Sequence, residues 1–236
     1  MPKTFVLLHG AFHGGWCWER VALPLRARGH RVTTPTQTGL GERRHLLSRE
    51  ITLGTFVDDL VNHLLYEDLT GVVLVGHSFG GNALSGAAER VPGRIAELVY
   101  LDSMVIEGGM APFDGLAPAT VAERTRLAEE TSGGLSIPPP PASAFGVIDP
   151  ADAAWLEARM TPHPLSVYRS PLPIEGPPGN GLPARYITCT DPIYHPLESV
   201  RRWVARAGWP VEAIATGHDA MVTAPEALVD MLDRAD

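Results

Sequence analysis

The chain has 236 residues, with 27 acidic and 19 basic side chains that give a formal net charge of −8. Hydrophobic residues make up 44% of the sequence, enough for the core of one globular domain, whereas the length is short for two. The excess acid, with no block of like charges, gives no attraction to phosphate backbones or anionic lipid. We therefore expect neither nucleic acid nor a membrane as a partner.

The sequence shows no targeting or redox feature of a secreted protein. Its N-terminal apolar run is too short for a signal peptide, and no stretch approaches the length of a membrane span. Cys17 and Cys189 are too few and too far apart for a disulfide framework or a zinc site. We therefore expect a cytoplasmic protein. The sequence leaves open whether the chain is a monomer or a homodimer.

Short apolar runs alternate with segments of helical period along most of the chain. Six runs predict strands, at residues 5–8, 32–34, 72–75, 98–101, 186–188 and 211–214. Five amphipathic segments predict helices, at residues 17–28, 53–65, 80–90, 196–207 and 225–234. This alternation is typical of βαβ units, so we predict an α/β fold of six mainly parallel strands with helices on both faces.

The alternation breaks between the fourth and fifth predicted strands. Residues 103–180 contain a run of four prolines and one predicted helix, which begins at Asp149 or Pro150 and ends at Arg159. Asp149 is placed to cap that helix, and no further strand is predicted. We interpret this insertion as a lid on a single domain whose core comprises residues 1–102 and 181–236.

The sharpest chemical signal is Gly76-His77-Ser78-Phe79-Gly80, which lies directly between a predicted strand and a predicted helix. A G-x-S-x-G turn in this context is a nucleophile elbow, in which a strained turn exposes the serine at the edge of the sheet. The alternative is an ordinary glycine-rich turn with a solvated serine. The flanking strand and helix favour the elbow, so Ser78 is the candidate nucleophile.

A serine nucleophile needs a general base, and His218 is the best placed of the nine histidines. It lies in a short loop between the last predicted strand and the last predicted helix. The other interpretation of His218 is a turn histidine with local hydrogen bonds. His9, His13 and His77 are expected in loops that line the site. Because His9 and His13 have no carboxylate partner nearby in sequence, we expect no metal ion there.

Two aspartates are candidates for the acid that orients the base. Asp102 and Asp191 both follow predicted strands, so both are expected at the carboxyl edge of the sheet. The oxyanion donors are predicted to be the backbone N–H groups of Phe79 and Ala11, the latter on the loop after the first strand. That glycine-rich loop fits neither a P-loop nor a dinucleotide fingerprint, so no cofactor is expected.

Three segments carry a resemblance to a known family: residues 7–18 (LLHGAFHGGWCW), residues 76–81 (GHSFGG) and residues 217–219 (GHD). With them the chain resembles the α/β-hydrolase superfamily, in the branch of plant methylesterases of the salicylate-binding type, hydroxynitrile lyases and small bacterial esterases. The resemblance implies that Ser78 is the nucleophile, that His218 is the base, and that Ala11 and Phe79 supply the oxyanion hole.

Residues that differ from that branch bear on the predicted activity and on the choice of the catalytic acid. The lyases carry a threonine and a lysine at the positions of Gly10 and Asp219, so the resemblance favours an esterase. Plant members take their acid from the loop of Asp191, but here the aspartate is displaced by one residue. Similar bacterial proteins often have no acid there. We therefore prefer Asp102 and keep Asp191 as the alternative.

The predicted substrate is a small carboxylic ester bound in an apolar pocket. Seven residues are candidates for its lining: Phe12, His13, Trp16, His77, Met104, Trp155 and Met221. Arg159 or Arg169 is the candidate contact for an acidic substrate group, although a solvated arginine is the more ordinary interpretation. Alternatives to the esterase are a thioesterase or lactonase with the same residues, and a small-molecule receptor with little turnover.

Overall fold

The computed structural model describes residues 1–234 and contains eight strands within them. The strands are β1 (Thr4–Leu8), β2 (Arg31–Thr33), β3 (Val72–His77), β4 (Ile95–Leu101), β5 (Ser136–Ile137), β6 (His163–Pro164), β7 (Ala184–Cys189) and β8 (Val211–Ile214). Six of them form one sheet in the order β2-β1-β3-β4-β7-β8, with every neighbouring pair parallel. The six predicted strands and their parallel arrangement are confirmed.

Nine α-helices accompany the strands in the same residues. They are α1 (Glu19–Ala27), α2 (Leu53–Tyr66), α3 (Gly80–Arg90), α4 (Pro118–Ser132), α5 (Pro150–Glu157), α6 (Leu165–Arg169), α7 (Glu198–Ala207), α8 (Ala220–Thr223) and α9 (Pro225–Asp233). No helix in this part of the chain is both long enough and apolar enough to span a bilayer.

The order of the strands explains how the helices cover the sheet. The connection from β1 to β2 runs in one direction across the sheet, whereas those from β2 to β3 and from β3 to β4 run in the other. Right-handed crossovers therefore place α1 on one face and α2 and α3 on the opposite face. In agreement, α1 packs against α9, and α2 packs against α3. All six residues of β3 are buried as a result.

The insertion between β4 and β7 differs from its prediction. The helix after Asp149 is confirmed, and the Asp149 carboxylate accepts hydrogen bonds from the backbone N–H groups of Ala151 and Asp152. The prediction of a single helix and no strand was wrong, because α4, α6 and the antiparallel pair β5–β6 also lie there. Helix α4 lacks a regular apolar stripe and fully buries only Ala128, so its sequence gave little signal. That the insertion acts as a lid stays a prediction.

The start of α3 packs too closely on the chain after β4 to accept a side chain. A Cβ atom at Gly81 would lie 2.1 Å from Ser103 Oγ and 2.3 Å from the Met104 carbonyl oxygen. We expect Gly81→Ala to lower the free energy of unfolding by about 3 kcal/mol, because the backbone has to move. Gly93→Ala is the control, since a Cβ atom there meets nothing within 4 Å. Urea unfolding of both variants measures the difference; equal stabilities would contradict the packing argument.

Candidate active site

Ser78 lies on a sharp turn between β3 and α3. It is one of the few non-glycine residues with a left-handed backbone, with φ of 51°, a conformation that is strained and concentrates at functional sites. Its backbone N–H donates to the Leu101 carbonyl at 3.2 Å, which ties the turn to β4. A Cβ atom at Gly80 would lie 2.7 Å from the His9 carbonyl oxygen, so a glycine is needed for this approach.

A hydrogen-bond chain leads from the half-buried Ser78 to a buried aspartate. His218 Nε2 lies 2.9 Å from Ser78 Oγ, and His218 Nδ1 lies 2.6 Å from Asp102 Oδ2. The Asp102 side chain is fully buried and follows β4 in a left-handed conformation, with φ of 37°. The Cys189 N–H also approaches its other oxygen, at 3.4 Å. The alternative acid, Asp191, has an exposed side chain that makes no hydrogen bond to His218.

Two side chains that the sequence argument missed contact this chain. The Tyr194 ring stacks on the His218 ring, with centroids 3.9 Å apart and planes inclined by 18°. Burial raises the pKa of the Tyr194 phenol to about 12, so the ring stays neutral and presents a π face that favours an imidazolium. Arg201 Nη1 lies 3.7 Å from Asp102 Oδ1. Both residues follow β7 in the sequence. Their position after the carboxyl end of a strand was the only sequence feature that could have indicated them.

The loop after β1 is held in place by His9. The Gln37 backbone N–H donates to His9 Nε2 at 3.1 Å, so Nδ1 carries the ring proton and donates to the Gly10 carbonyl at 2.8 Å. Burial lowers the pKa of His9 to about 3, which keeps the ring neutral. The next residue is Ala11, and Ala11 and Phe79 both border the cavity that contains Ser78. Their N–H groups make no backbone hydrogen bond among the turns and loops of residues 1–234.

A second histidine–aspartate pair lies beside the first. His13 Nε2 is 3.0 Å from Asp219 Oδ2, and His13 Nδ1 is 2.6 Å from the Ala11 carbonyl oxygen. Burial opposes the charge on His13, but Asp219 and the carbonyl outweigh it and raise its pKa. Burial likewise opposes the charge on Asp219, but His13 and the neighbouring histidines lower its pKa. The pair therefore links the residue after His218 to the loop that carries Ala11.

We expect Asp219→Asn to lower the free energy of unfolding by about 3 kcal/mol, because it removes one charge of a buried pair. The His13 contribution is present below its unfolded pKa of 6.5 and is lost as the pH rises through its raised folded pKa. The Asp219 contribution is present above 3.8 and is lost as the pH falls through its lowered folded pKa. The destabilisation should therefore be largest between these two values.

Urea unfolding at about pH 5 and at about pH 9 tests this dependence of the destabilisation on pH. The control is Asp58→Asn, which removes an exposed carboxylate paired with Arg90 and should cost less than about 1 kcal/mol. We also expect Asp219→Asn to lower kcat/KM for p-nitrophenyl acetate about tenfold, because the Ala11 loop loses its anchor. A destabilisation that is the same at both pH values would contradict the ion pair.

One histidine–carboxylate cluster has ligand atoms close enough for a metal ion. His77, His218 and Asp219 each offer one such atom, all within 4.8 Å of one another. Burial, followed by the nearby His218, lowers the pKa of His77 well below its usual value, and the neutral ring donates Nε2–H to the His218 carbonyl at 3.0 Å. Both His218 nitrogens are already hydrogen bonded. A metal ion would have to break these bonds, so we assign none to the cluster.

Ser78 opens into a cavity of about 280 Å³. Its wall is mainly apolar and comes from both the sheet edge and the insertion. Four of the predicted lining residues are in this wall: Phe12, His13, His77 and Met104. A cavity of this size, with a nucleophile and few polar groups in its wall, suits a small organic ligand.

Residues 5–231 match the sequence profile of the alpha/beta hydrolase family. The chain belongs to this family. A carbendazim-hydrolysing esterase from Nocardioides sp. (strain SG-4G) is 38% identical over 97% of this chain and 98% of its own. The pFDCC methylesterase of Arabidopsis thaliana is 28% identical over 98% of this chain and 93% of its own. An extracellular alpha/beta-hydrolase from a Paenibacillus species superposes with a TM-score of 0.80 at 24% identity, over 98% of both chains.

The other three predicted lining residues lie outside the cavity of this hydrolase. Trp16 and Trp155 pack against each other with ring centroids 5.2 Å apart, and Trp16 stacks on the His13 ring. Arg20 lies over the Trp155 ring, which fixes that side chain in a separate cluster. Met221, on α8, is fully buried in the hydrophobic core. Sequence position near the predicted mouth did not show which way these side chains point.

The insertion and the loop after β7 supply aromatic residues that the sequence argument did not select. Phe145, Tyr168 and Tyr194 all border the cavity. Tyr168 packs edge-on against Phe79, with centroids 4.8 Å apart. The two arginines considered for an acidic group are elsewhere. Arg159 lies over the Trp155 ring, and Arg169 is exposed and approaches Thr125 at 3.5 Å.

Proposed function

We propose that this protein is a serine hydrolase that cleaves a small carboxylic ester through an acyl-enzyme on Ser78. The observation that carries the proposal is the hydrogen-bond chain from the buried Asp102 through His218 to Ser78, which ends at the wall of an apolar cavity. The likeness to a carbendazim-hydrolysing esterase over nearly the full length of both chains supports ester cleavage. The domain boundaries and the cytoplasmic location stay predictions from the sequence.

In the first half-reaction, Ser78 Oγ attacks the ester carbonyl carbon while His218 Nε2 takes the hydroxyl proton. Asp102 accepts a hydrogen bond from His218 Nδ1 and stabilises the imidazolium that forms. The Tyr194 ring, stacked on His218, favours the same charge. The imidazolium then gives its proton to the leaving alcohol as the bond between carbonyl carbon and alkoxy oxygen breaks. An acyl group remains on Ser78.

In the second half-reaction, water attacks the acyl carbon and gives its proton to His218. The proton passes to Ser78 Oγ as the acid product leaves, which restores the free enzyme. Both tetrahedral intermediates carry negative charge on the former carbonyl oxygen. The N–H groups of Ala11 and Phe79 are proposed to bind that oxygen. The hydrogen bonds of His9 and His13 to the Gly10 and Ala11 carbonyls hold the first donor in position.

The test is stopped-flow hydrolysis of p-nitrophenyl acetate by the wild-type protein. We expect a burst of p-nitrophenol near one equivalent per active site, followed by steady turnover, because this activated ester acylates Ser78 faster than the acyl-enzyme is hydrolysed. Ester, thioester and lactone substrates then separate the esterase from a thioesterase or lactonase, which would use the same residues. Release of p-nitrophenol at the buffer rate would contradict the proposal and favour a ligand-binding protein on the same fold.

A further inference from the structure

One arginine of the cavity wall is half-buried and has no carboxylate or carbonyl partner within the described part of the chain. Four arginines make no hydrogen bond or ion pair to a carboxylate or carbonyl oxygen of residues 1–234: Arg44, Arg124, Arg169 and Arg206. Three of them are exposed, and one of these, Arg206, also borders the cavity that contains Ser78. Arg124, on α4, borders the same cavity and is half-buried. Its guanidinium interacts with the hydroxyl of Tyr168, which is neutral, and a charge partly withdrawn from water stays costly without a counter-ion. A substrate oxygen would offset that cost.

The position of Arg124 is fixed by an aromatic ring next to the nucleophile. Its Cζ atom lies 5.1 Å from the centroid of the Tyr168 ring. Tyr168 itself is buried and packs edge-on against Phe79, the residue after Ser78. The Arg124 guanidinium is therefore separated from Phe79 by one ring. Packing on the ring holds the guanidinium plane, and the N–H groups that do not reach the Tyr168 hydroxyl can donate to a planar acceptor.

Arg124 differs from the other basic residues of the cavity wall, because His13 is paired with Asp219 and Arg206 is exposed. The nearby wall is apolar, with Ile106 and Leu116 among its residues. The carboxylate of Glu107 also borders the cavity, but Glu107 is exposed and accepts a hydrogen bond from Trp203 Nε1 at 3.2 Å. The Glu107 carboxylate therefore interacts with α7, which carries Trp203. An anionic ligand group in the cavity would find Arg124 as its counter-ion.

We propose that Arg124 determines specificity by binding the carboxylate of a substrate that is itself the monoester of a dicarboxylic acid. This inference rests on the proposed function. The ester carbonyl lies at Ser78, and the free carboxylate at the other end of the acyl chain pairs with Arg124 in the bidentate geometry that a guanidinium favours. Hydrolysis releases the alcohol and the dicarboxylate. The length of the preferred acyl chain then follows from the span between Ser78 and Arg124.

The test compares monoethyl esters of succinic, glutaric, adipic and suberic acid with neutral ethyl esters of the same chain length. For the best half-ester, we expect the wild type to show a kcat/KM about tenfold above that of its neutral partner. Arg124→Gln should lower that ratio about tenfold, mainly through KM, and Arg124→Lys should restore part of it. Arg169→Gln is the matched control on the neighbouring helix and should leave the ratio as in the wild type.

A half-ester preference that is absent at every chain length, or that persists in Arg124→Gln, would overturn the inference. If the wild type hydrolyses neither neutral esters nor half-esters, the proposed function fails instead. Calorimetric binding of the half-esters to Ser78→Ala, with and without Arg124→Gln, then decides the inference independently of turnover. Binding that weakens about tenfold with Arg124→Gln supports it, and equal binding or none overturns it.

Discussion

Ser78→Ala is expected to lower kcat/KM for p-nitrophenyl acetate by about 10³-fold or more. The substitution removes the only oxygen that lies 2.9 Å from His218 Nε2, so no acyl-enzyme can form by this route. What should remain is the contribution of substrate binding and of the proposed oxyanion donors, with water as the nucleophile. Alanine keeps the Cβ atom and leaves the surrounding wall intact. Initial rates at matched enzyme concentration measure the effect.

Ser143→Ala is the control for this variant, because Ser143 is an exposed serine of the insertion. It should keep the wild-type rate. Circular dichroism and urea unfolding establish that Ser78→Ala is folded. The backbone strain at position 78 should be the same in both proteins, because alanine and serine both carry a Cβ atom. A folded Ser78→Ala that retains the wild-type kcat/KM would show that another residue is the nucleophile.

Asp102→Asn is expected to lower kcat by about 10³- to 10⁴-fold, whereas Asp191→Asn should change it less than about twofold. Asparagine fills the same space and tolerates the left-handed φ of 37° at this position. Its amide cannot stabilise an imidazolium, and its NH₂ group favours the wrong tautomer of His218. The 2.6 Å contact between Asp102 Oδ2 and His218 Nδ1 is the basis for the asymmetry.

The pH dependence adds a check on the Asp102 assignment. If Asp102 acts by stabilising the imidazolium, the loss in Asp102→Asn should diminish at high pH, where hydroxide replaces the general base. Steady-state rates across the pH range measure this. An equal and small effect of both substitutions would contradict the assignment, and a larger effect of Asp191→Asn would restore the alternative acid.

Much of the architecture was predictable because it rests on local patterns. The runs that became β1 and β3 are short, apolar and followed by helical segments, so they predict buried parallel strands. The turn at Ser78 combines the required glycines with its flanking strand and helix. His218 lies in the one histidine-bearing loop after the last strand. These features depend on neighbours in sequence, which a single chain displays directly.

What the sequence could not supply depends on contacts between distant segments. Asp102 and Asp191 both end strands, and their difference is a matter of where each side chain points in space. Trp16 packs against Trp155, which lies far along the chain. The sequence therefore could not show that Trp16 points away from the cavity. Arg124 lies on a helix with no apolar stripe, and its place in the cavity wall follows from how that helix docks.

The most direct test of the central claim is to identify the residue that becomes acylated. The protein is mixed with p-nitrophenyl acetate, quenched in acid during the burst, digested and analysed by tandem mass spectrometry, with Ser78→Ala in parallel. We expect one acetyl group on Ser78 in the wild type and no acetyl group at position 78 or on a substitute residue in the variant. Turnover with the acetyl group on a different residue, or the same adduct in Ser78→Ala, would contradict the mechanism.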